Sequence, residues 1–311
     1  MSLGRPALVA HARSTIAKGS KSFAAASRLF DRATRERAQL LYAWCRACDD
    51  IADGQVLGHG ASAVQDATAR LSRMRALTAK ALAGEETGDP SFDCLGVVAA
   101  ETGLPARYVH DLIDGFALDA QDWRPRSEAD LLRYCYHVAG TVGCMMAVVM
   151  GVDPHDEPVL DRACDLGIAF QLANIARDIG EDDAIDRCYL PVEWLVEVDI
   201  PPGEHMKPPF RPRLAMLARR LAAMAERYEA SARVGTKALP FRSAWAVLAA
   251  AGIYGDIARA VAARGEHAWD HRVSTSGTDK LGWVVTAAWQ AMRRGGLPNI
   301  SREGLWTRPR S

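Results

Sequence analysis

Residues 41–53, LYAWCRACDDIAD, run without glycine or proline and set their polar side chains at helical spacing. At about 100° per residue, Tyr42, Arg46, Asp49 and Asp53 fall within an arc of roughly 60°. Trp44, Ala47, Cys48 and Ile51 occupy other faces, and Asp50 sits beside the stripe. Gly54 closes the pattern, where a helix is expected to end. A narrow polar stripe on an apolar helix faces either a thin strip of solvent or an internal cavity. A second segment favours the cavity. In residues 171–183, QLANIARDIGEDD, the side chains of Gln171, Asn174, Asp178 and Asp182 share one face. Their arc is roughly 80°, with Arg177 and Glu181 on its edge. One Asp-x-x-x-Asp pair arises readily by chance. Two, each with an Arg nearby and each on an apolar helix, do not.

The remainder of the chain supports an all-α reading. Of 311 residues, 49% are hydrophobic but only 7% aromatic, and the apolar segments are rich in alanine, which favours helix over strand. Period-two alternation is scarce. Helices are expected near 5–18, 33–53, 62–83, 91–101, 106–118, 128–150, 158–181, 191–196, 211–235, 240–264 and 278–293. The Pro-rich stretch 201–212, PPGEHMKPPFRP, reads as a surface loop rather than a domain linker, and 311 residues could hold one large domain or two ordinary ones. The amphipathic stretch 213–233 is expected to pack in the core.

Charge excludes some functions. Lys and Arg total 38, as do Asp and Glu, so the basic excess of a general nucleic-acid binder is missing. The first residues lack the unbroken apolar core of a secretory signal. No apolar run reaches the ~18 residues of a spanning helix; the nearest is 140–152. A cytoplasmic protein is expected. Seven widely spaced cysteines do not suggest a disulfide framework, and the Cys45–Cys48 CxxC has no second half to complete a zinc site. Two small buried thiols are the expectation there.

The acidic stripes point to a metal-bridged phosphate. Hard oxygen ligands in small number suit Mg2+, which keeps waters and bridges to substrate phosphates. Two stripes facing each other would line a mouth that repels a bare diphosphate, so the metal must lie between them. Arg46 and Arg177 would then pair with diphosphate oxygens. In residues 134–151, YCYHVAGTVGCMMAVVMG, the positions Tyr136, Gly140, Gly143 and Ala147 share a stripe. Glycine inside a helix costs up to ~1 kcal/mol relative to alanine. Close approach of another helix, or of a lipid chain along a tunnel, is the compensation to expect.

Together, GSKSF (residues 19–23), LYAWCRACDDIAD, GFALD (115–119), YCYHVAGTVG, QLANIARDIGEDD and RCYLP (187–191) resemble the squalene/phytoene synthase family over nearly the full length. The chain looks most like its bacterial, carotenoid-pathway members. That resemblance implies a single-domain isoprenoid synthase fold, a helical bundle around a central cavity. It implies head-to-head condensation of two geranylgeranyl diphosphates, through a cyclopropyl diphosphate, to phytoene. By the same resemblance Asp49, Asp53, Asn174, Asp178 and Asp182 hold Mg2+, with Mn2+ able to substitute, and no NADPH is expected. Ser20, Ser22, Arg46, Gln171, Asn174, Arg177, Tyr254 and Arg272 contact the diphosphates or line their mouth. Tyr42 and Tyr136 sit near the reacting carbons, and peripheral membrane contact suits an amphiphilic substrate. Three alternatives remain: a C30 synthase acting on farnesyl diphosphate, a class I terpene cyclase, and a non-catalytic protein of the same fold. Intact acidic stripes argue against the last.

Overall fold

Several helix starts are written into the sequence as caps. Ser127 accepts from the Asp130 N–H while the Asp130 carboxylate accepts from the Ser127 N–H, and Ser276 with Asp279 repeats this capping box. Asp89 accepts from the Ser91 N–H just ahead of Pro90, a residue suited to the first helical turn. Gly103, with φ of 65°, ends the helix that Asp89 begins.

The computed structural model describes residues 3–53, 67–121 and 123–310; the side chains of Lys21, Ser22 and Asp53 lie outside that set. Among the described residues there is no strand. The all-α expectation holds.

The chain groups into two compact units. The first comprises Met1–Gln121 and Cys144–Glu157. It holds α1 (Arg5–Gly19), α2 (Lys21–Ala26), α3 (Arg32–Asp53), α4 (Ala67–Leu82), α5 (Pro90–Thr102) and α6 (Ala106–Asp119). Here α3 packs on α1, α4 and α5, and Leu40, Leu41, Trp44 and Cys48 are fully or almost fully buried. That burial leaves the polar face of α3 as the one that differs.

The second unit comprises Asp122–Gly143 and Pro158–Ser311. It opens with α7 (Glu128–Cys135), which runs through a π-helical turn at Tyr136–Gly140 into the start of α8 (Thr141–Val149), whose residues from Cys144 on belong to the first unit. Then come α9 (Glu157–Asp183), α10 (Val192–Glu197), α11 (Arg211–Gly235), α12 (Phe241–Arg264) and α13 (Gly277–Arg293). The expected single helix over 128–150 is therefore interrupted by the π turn, where one extra residue per turn widens the helix. The Pro-rich stretch 201–212 lies inside this unit and divides nothing. Leu214, Leu217, Leu221 and Tyr228 of α11 are buried, as expected for a packed helix.

The π turn and α9 meet with almost no space between their backbones. A methyl on Gly143 would overlap the Ala163 carbonyl, and one on Gly140 would lie 2.8 Å from the Cys164 sulfur. Of the two compensations expected for these glycines, helix packing is the one found.

One expectation needs correcting. The segment Phe241–His267 is long and apolar enough, by length and composition alone, to cross a membrane. Half of its most apolar window is buried inside the protein, as in a core helix. An unbroken run of apolar residues points to 140–152 instead. In α12 the apolar character is spread over alanines with a few polar interruptions.

Candidate active site

The α3 stripe is built around one guanidinium. Arg46 Nε donates to Asp50 Oδ1 at 2.9 Å, and Nη2 grips the same oxygen. Nη1 reaches Asp49 Oδ2 at 3.4 Å. Asp50, placed by the sequence beside the stripe, is thus the main partner of Arg46, as its i,i+4 spacing permits. The Asp49 side chain keeps 48% of its surface exposed against 16% for Asp50. Burial works against the Arg46 charge, but the Asp50 hydrogen bond and the fields of Asp49 and Asp50 outweigh it, raising its pKa. Burial likewise pushes the Tyr42 hydroxyl up, so it stays protonated.

The GSKSF turn folds onto this stripe. A methyl on Gly19 would meet the Tyr42 hydroxyl at 2.6 Å and Arg46 Cδ at 3.6 Å, so glycine lets the chain approach closely. Ser20 caps α2, accepting from the Phe23 N–H at 3.2 Å. Phe23 places its ring 5.5 Å from that of Tyr42. Ser20, Tyr42, Arg46 and Asp49 are therefore neighbours. Asp53 and Ser22, expected beside them, have side chains outside the described residues.

The α9 stripe gathers charge from farther along the chain. Arg177 donates to Asp178 through Nε at 2.7 Å and Nη2 at 2.5 Å. Arg272 reaches Asp178 Oδ1 at 3.0 Å through Nη2 and pairs with Glu181 through Nη1. Burial again opposes the Arg177 charge, but the Asp178 hydrogen bond and the nearby negative charges raise its pKa. Tyr254 stacks on Phe170 at 4.1 Å and contributes to the field at Arg177. One turn before Asp178 on the same face, Asn174 Oδ1 is buried and has no hydrogen-bond partner. An oxygen in that position is poorly satisfied unless something else binds it. Gln171 and Asp182 complete the face, both half-buried. The RCYLP segment that follows is held by stacking of Tyr189 on Tyr134 at 4.8 Å, with Trp123 5.5 Å beyond.

Residues 16–279 match the family described as squalene/phytoene synthase. The chain belongs to that family. A phytoene synthase of Pseudescherichia vulneris is 48% identical over 99% of this chain and 100% of its own length. A 15-cis-phytoene synthase of Pantoea ananas is 44% identical over the same shares. A crystal structure of a dehydrosqualene synthase in complex with ligand superposes with a TM-score of 0.82, at 26% identity, covering 93% of this chain and 98% of that one. The fold is that of the isoprenoid synthases, and the chain is a prenyltransferase.

Squalene/phytoene synthases as a family depend on a divalent metal, and the α9 face fits one. Its donors are all hard oxygens, and the unpartnered oxygen of Asn174 lies among them. Among the described residues no three His, Cys, Asp or Glu side chains converge into a closed protein cage. Mg2+ takes few protein ligands and completes its shell with water and phosphate. Sequence reasoning underrated Asp50 and Glu181, each of which takes an Arg. For Asp50 the i,i+4 spacing from Arg46 was the available signal. Glu181 pairs with an Arg 91 residues away, and no local pattern carries that. Of the CxxC, Cys48 is buried as expected but Cys45 is only half-buried; both thiols are free, and burial pushes both pKa values up.

Proposed function

We propose that this enzyme condenses two geranylgeranyl diphosphates head-to-head, through a cyclopropyl diphosphate, to phytoene. The observation that carries the reading is the convergence of Arg177 and Arg272 on Asp178, beside the unpartnered oxygen of Asn174. The set offers anionic and neutral oxygens for a cation and two guanidiniums for phosphate oxygens. The full-length relatives at 44–48% identity support the C20 substrate over the C15 one. The family match runs through both units, which supports one catalytic domain.

In this proposal Asp49, Asp53, Asn174, Asp178 and Asp182 hold Mg2+, which when bound neutralises the leaving diphosphate and promotes C–O cleavage. Arg46, Arg177 and Arg272 bind diphosphate oxygens, with Ser20, Ser22, Gln171 and Tyr254 placing them. The bond electrons leave with the diphosphate, and the second substrate's double bond attacks the allylic cation. A proton is lost as the cyclopropane closes. Ionisation of the remaining diphosphate, rearrangement and a second proton loss give the C40 hydrocarbon. Tyr42 and Tyr136 turn their faces to the cations, which aromatic rings stabilise. Apolar walls keep out the water that would capture them.

The test is extraction of hydrocarbon after incubation with Mg2+ and either prenyl diphosphate, without NADPH. A C40 product from geranylgeranyl diphosphate is expected; chelation with EDTA should abolish it and added Mg2+ restore it. A C30 product from farnesyl diphosphate alone would mean a C30 synthase, and no product from either would favour a binding protein. The reading places the enzyme in the cytoplasm with peripheral access to the bilayer. Leu281, Val285, Trp289 and Met292, each more than half exposed along one face of α13, support that access. Flotation with phosphatidylglycerol vesicles, lost in Trp289→Ser, checks it.

A further inference from the structure

The second unit contains a buried ionic cluster that the proposed reaction does not use. Asp161 and Asp165 of α9 are 3% and 0% exposed. Three arginines from residues 300–310 close on them. Arg302 takes Asp165 in a fork, Nε to Oδ2 at 2.7 Å and Nη2 to Oδ1 at 2.8 Å, and reaches Asp161 at 3.3 Å. Arg308, with a fully buried side chain, pairs with Asp161 at 3.0 Å, and Arg310 pairs with it at 2.6 Å. Ser231 of α11 donates to Asp165 at 2.5 Å, and Arg162 donates to the Ile300 carbonyl at 2.8 Å. Burying this many charges is seldom the most stabilising way to fill a core, though it can fix a segment in one register.

What the cluster fixes is Trp306. Its carbonyl accepts from Arg302 at 3.1 Å and its N–H donates to the Tyr228 hydroxyl at 3.0 Å. Clamped on both sides, Trp306 holds its ring 5.5 Å from that of Tyr136, tilted 45°. Tyr136 is 1% exposed and lies at the start of the π turn. The His137 ring stands 5.2 Å away on another side, and Gly140 passes so close beneath that a methyl there would be 3.2 Å from Tyr136 Cδ2. Of these neighbours only Trp306 comes from a distant part of the chain. It lies outside the residues that match the family, 16–279.

We propose that residues 300–310 form a strap, locked to Asp161 and Asp165, whose Trp306 is a positioning residue holding the Tyr136 ring in its working orientation. This rests on the reading of Tyr136 as a residue beside the reacting carbons. Without the indole, Tyr136 gains room to rotate, and the cations lose a face at a fixed distance. Diphosphate binding, carried by other residues, is left alone.

The experiment compares wild type with Trp306→Ala, Trp306→Leu and Trp306→Phe. It is run at a temperature where circular dichroism shows each folded, reading kcat, KM and the ratio of released cyclopropyl diphosphate to C40 hydrocarbon. Misplacement of a positioned group lowers kcat by roughly tenfold or more, so that loss is expected in Trp306→Ala, with KM within about twofold. Released intermediate should rise, and Trp306→Phe should restore most of the activity. Should the alanine variant fail to fold, Trp306→Leu, which fills the space without an aromatic face, takes its place against Trp306→Phe. A kcat within about twofold of wild type, whatever the melting temperature, would leave the strap as core packing and overturn the inference. A loss as large in Trp306→Phe as in Trp306→Leu would do the same. If wild type itself yields no hydrocarbon, the proposed reaction fails first; product from wild type with an unimpaired alanine variant fails the strap alone.

Discussion

Asp178→Asn is expected to abolish turnover while leaving the helical fold in place. The substitution keeps the shape and removes the charge that Arg177 grips at 2.5 and 2.7 Å and that Arg272 reaches at 3.0 Å. Three consequences follow at one carboxylate. The hard anionic donor proposed for Mg2+ is replaced by a weaker neutral one. The half-buried Arg177, whose pKa the Asp178 hydrogen bond helps to raise, loses its counter-ion. The two guanidiniums lose the group that holds them on the same face of α9. Removal of a single preorganised electrostatic group typically costs about 10²–10³ in kcat. Because three functions meet here, a loss of at least ~10³ is expected, read as C40 hydrocarbon formed per enzyme. Circular dichroism should be unchanged, since the carboxylate lies at the rim of the core. Glu226→Gln, a half-exposed carboxylate on α11, is the control for loss of a negative charge elsewhere. Turnover within tenfold of wild type would remove the α9 stripe from the reaction.

The acidic stripes were legible because helical periodicity is local. Spacing of four, three and four on α3, and of three, four and four on α9, is enough to put each set on one face. The structure places Tyr42, Arg46 and Asp49 together, as that spacing requires; Arg177 reaches Asp178 from the adjacent position through its long side chain, which the spacing does not dictate. Arg272 joined the set only through the family resemblance; spacing could not have found it, because its partners lie about 90 residues away. The short helix α2 was hidden for a different reason. Its Ser20 cap is a signal for a helix start, but GSKSF reads equally well as a turn, and six residues are too few to show a period.

The π turn and the strap were not legible at all. An apolar run over 128–150 reads as one helix, and the extra residue at Tyr136–Gly140 changes no pattern of residue types. The arginines of residues 300–310 look like a basic, solvated segment, which is how isolated charges in a polar stretch usually behave. Their partners, Asp161 and Asp165, have the same i,i+4 spacing as Asp178 and Asp182, the aspartates proposed for Mg2+ on that very helix. Spacing alone gives two acidic pairs on α9, and arginines meet both; it does not say which pair is sealed in the core and which stays half-buried. Only the fold separates them: one pair is sealed by three guanidiniums and a serine.

The glycines of the second unit give a prediction of opposite signs. Gly167→Ala should be strongly destabilising, although alanine is the better helix former by up to ~1 kcal/mol. The added methyl would overlap the Ala139 carbonyl oxygen, lie 2.5 Å from the carbonyl carbon and 2.7 Å from Gly140 Cα. All three are backbone atoms, so no side chain can turn aside and the helices must move apart. Overpacking of this kind costs about 1–3 kcal/mol and occasionally more. With backbone on both sides the upper end is expected, a net loss of roughly 2–3 kcal/mol after the gain in propensity. In a chain of this size that lowers the melting temperature by roughly 3–5 °C. The displacement also shifts the π turn that carries Tyr136, so kcat should fall at temperatures where the protein is still folded. Gly282→Ala is the matched comparison, since a methyl there on exposed α13 meets nothing within 4 Å. It should be neutral or stabilising by up to ~1 kcal/mol. Differential scanning calorimetry of the two variants reads both signs. A Gly167→Ala protein as stable as wild type would mean that α9 and the π turn do not lie in van der Waals contact, and the strap's hold on Tyr136 would lose its foundation with it.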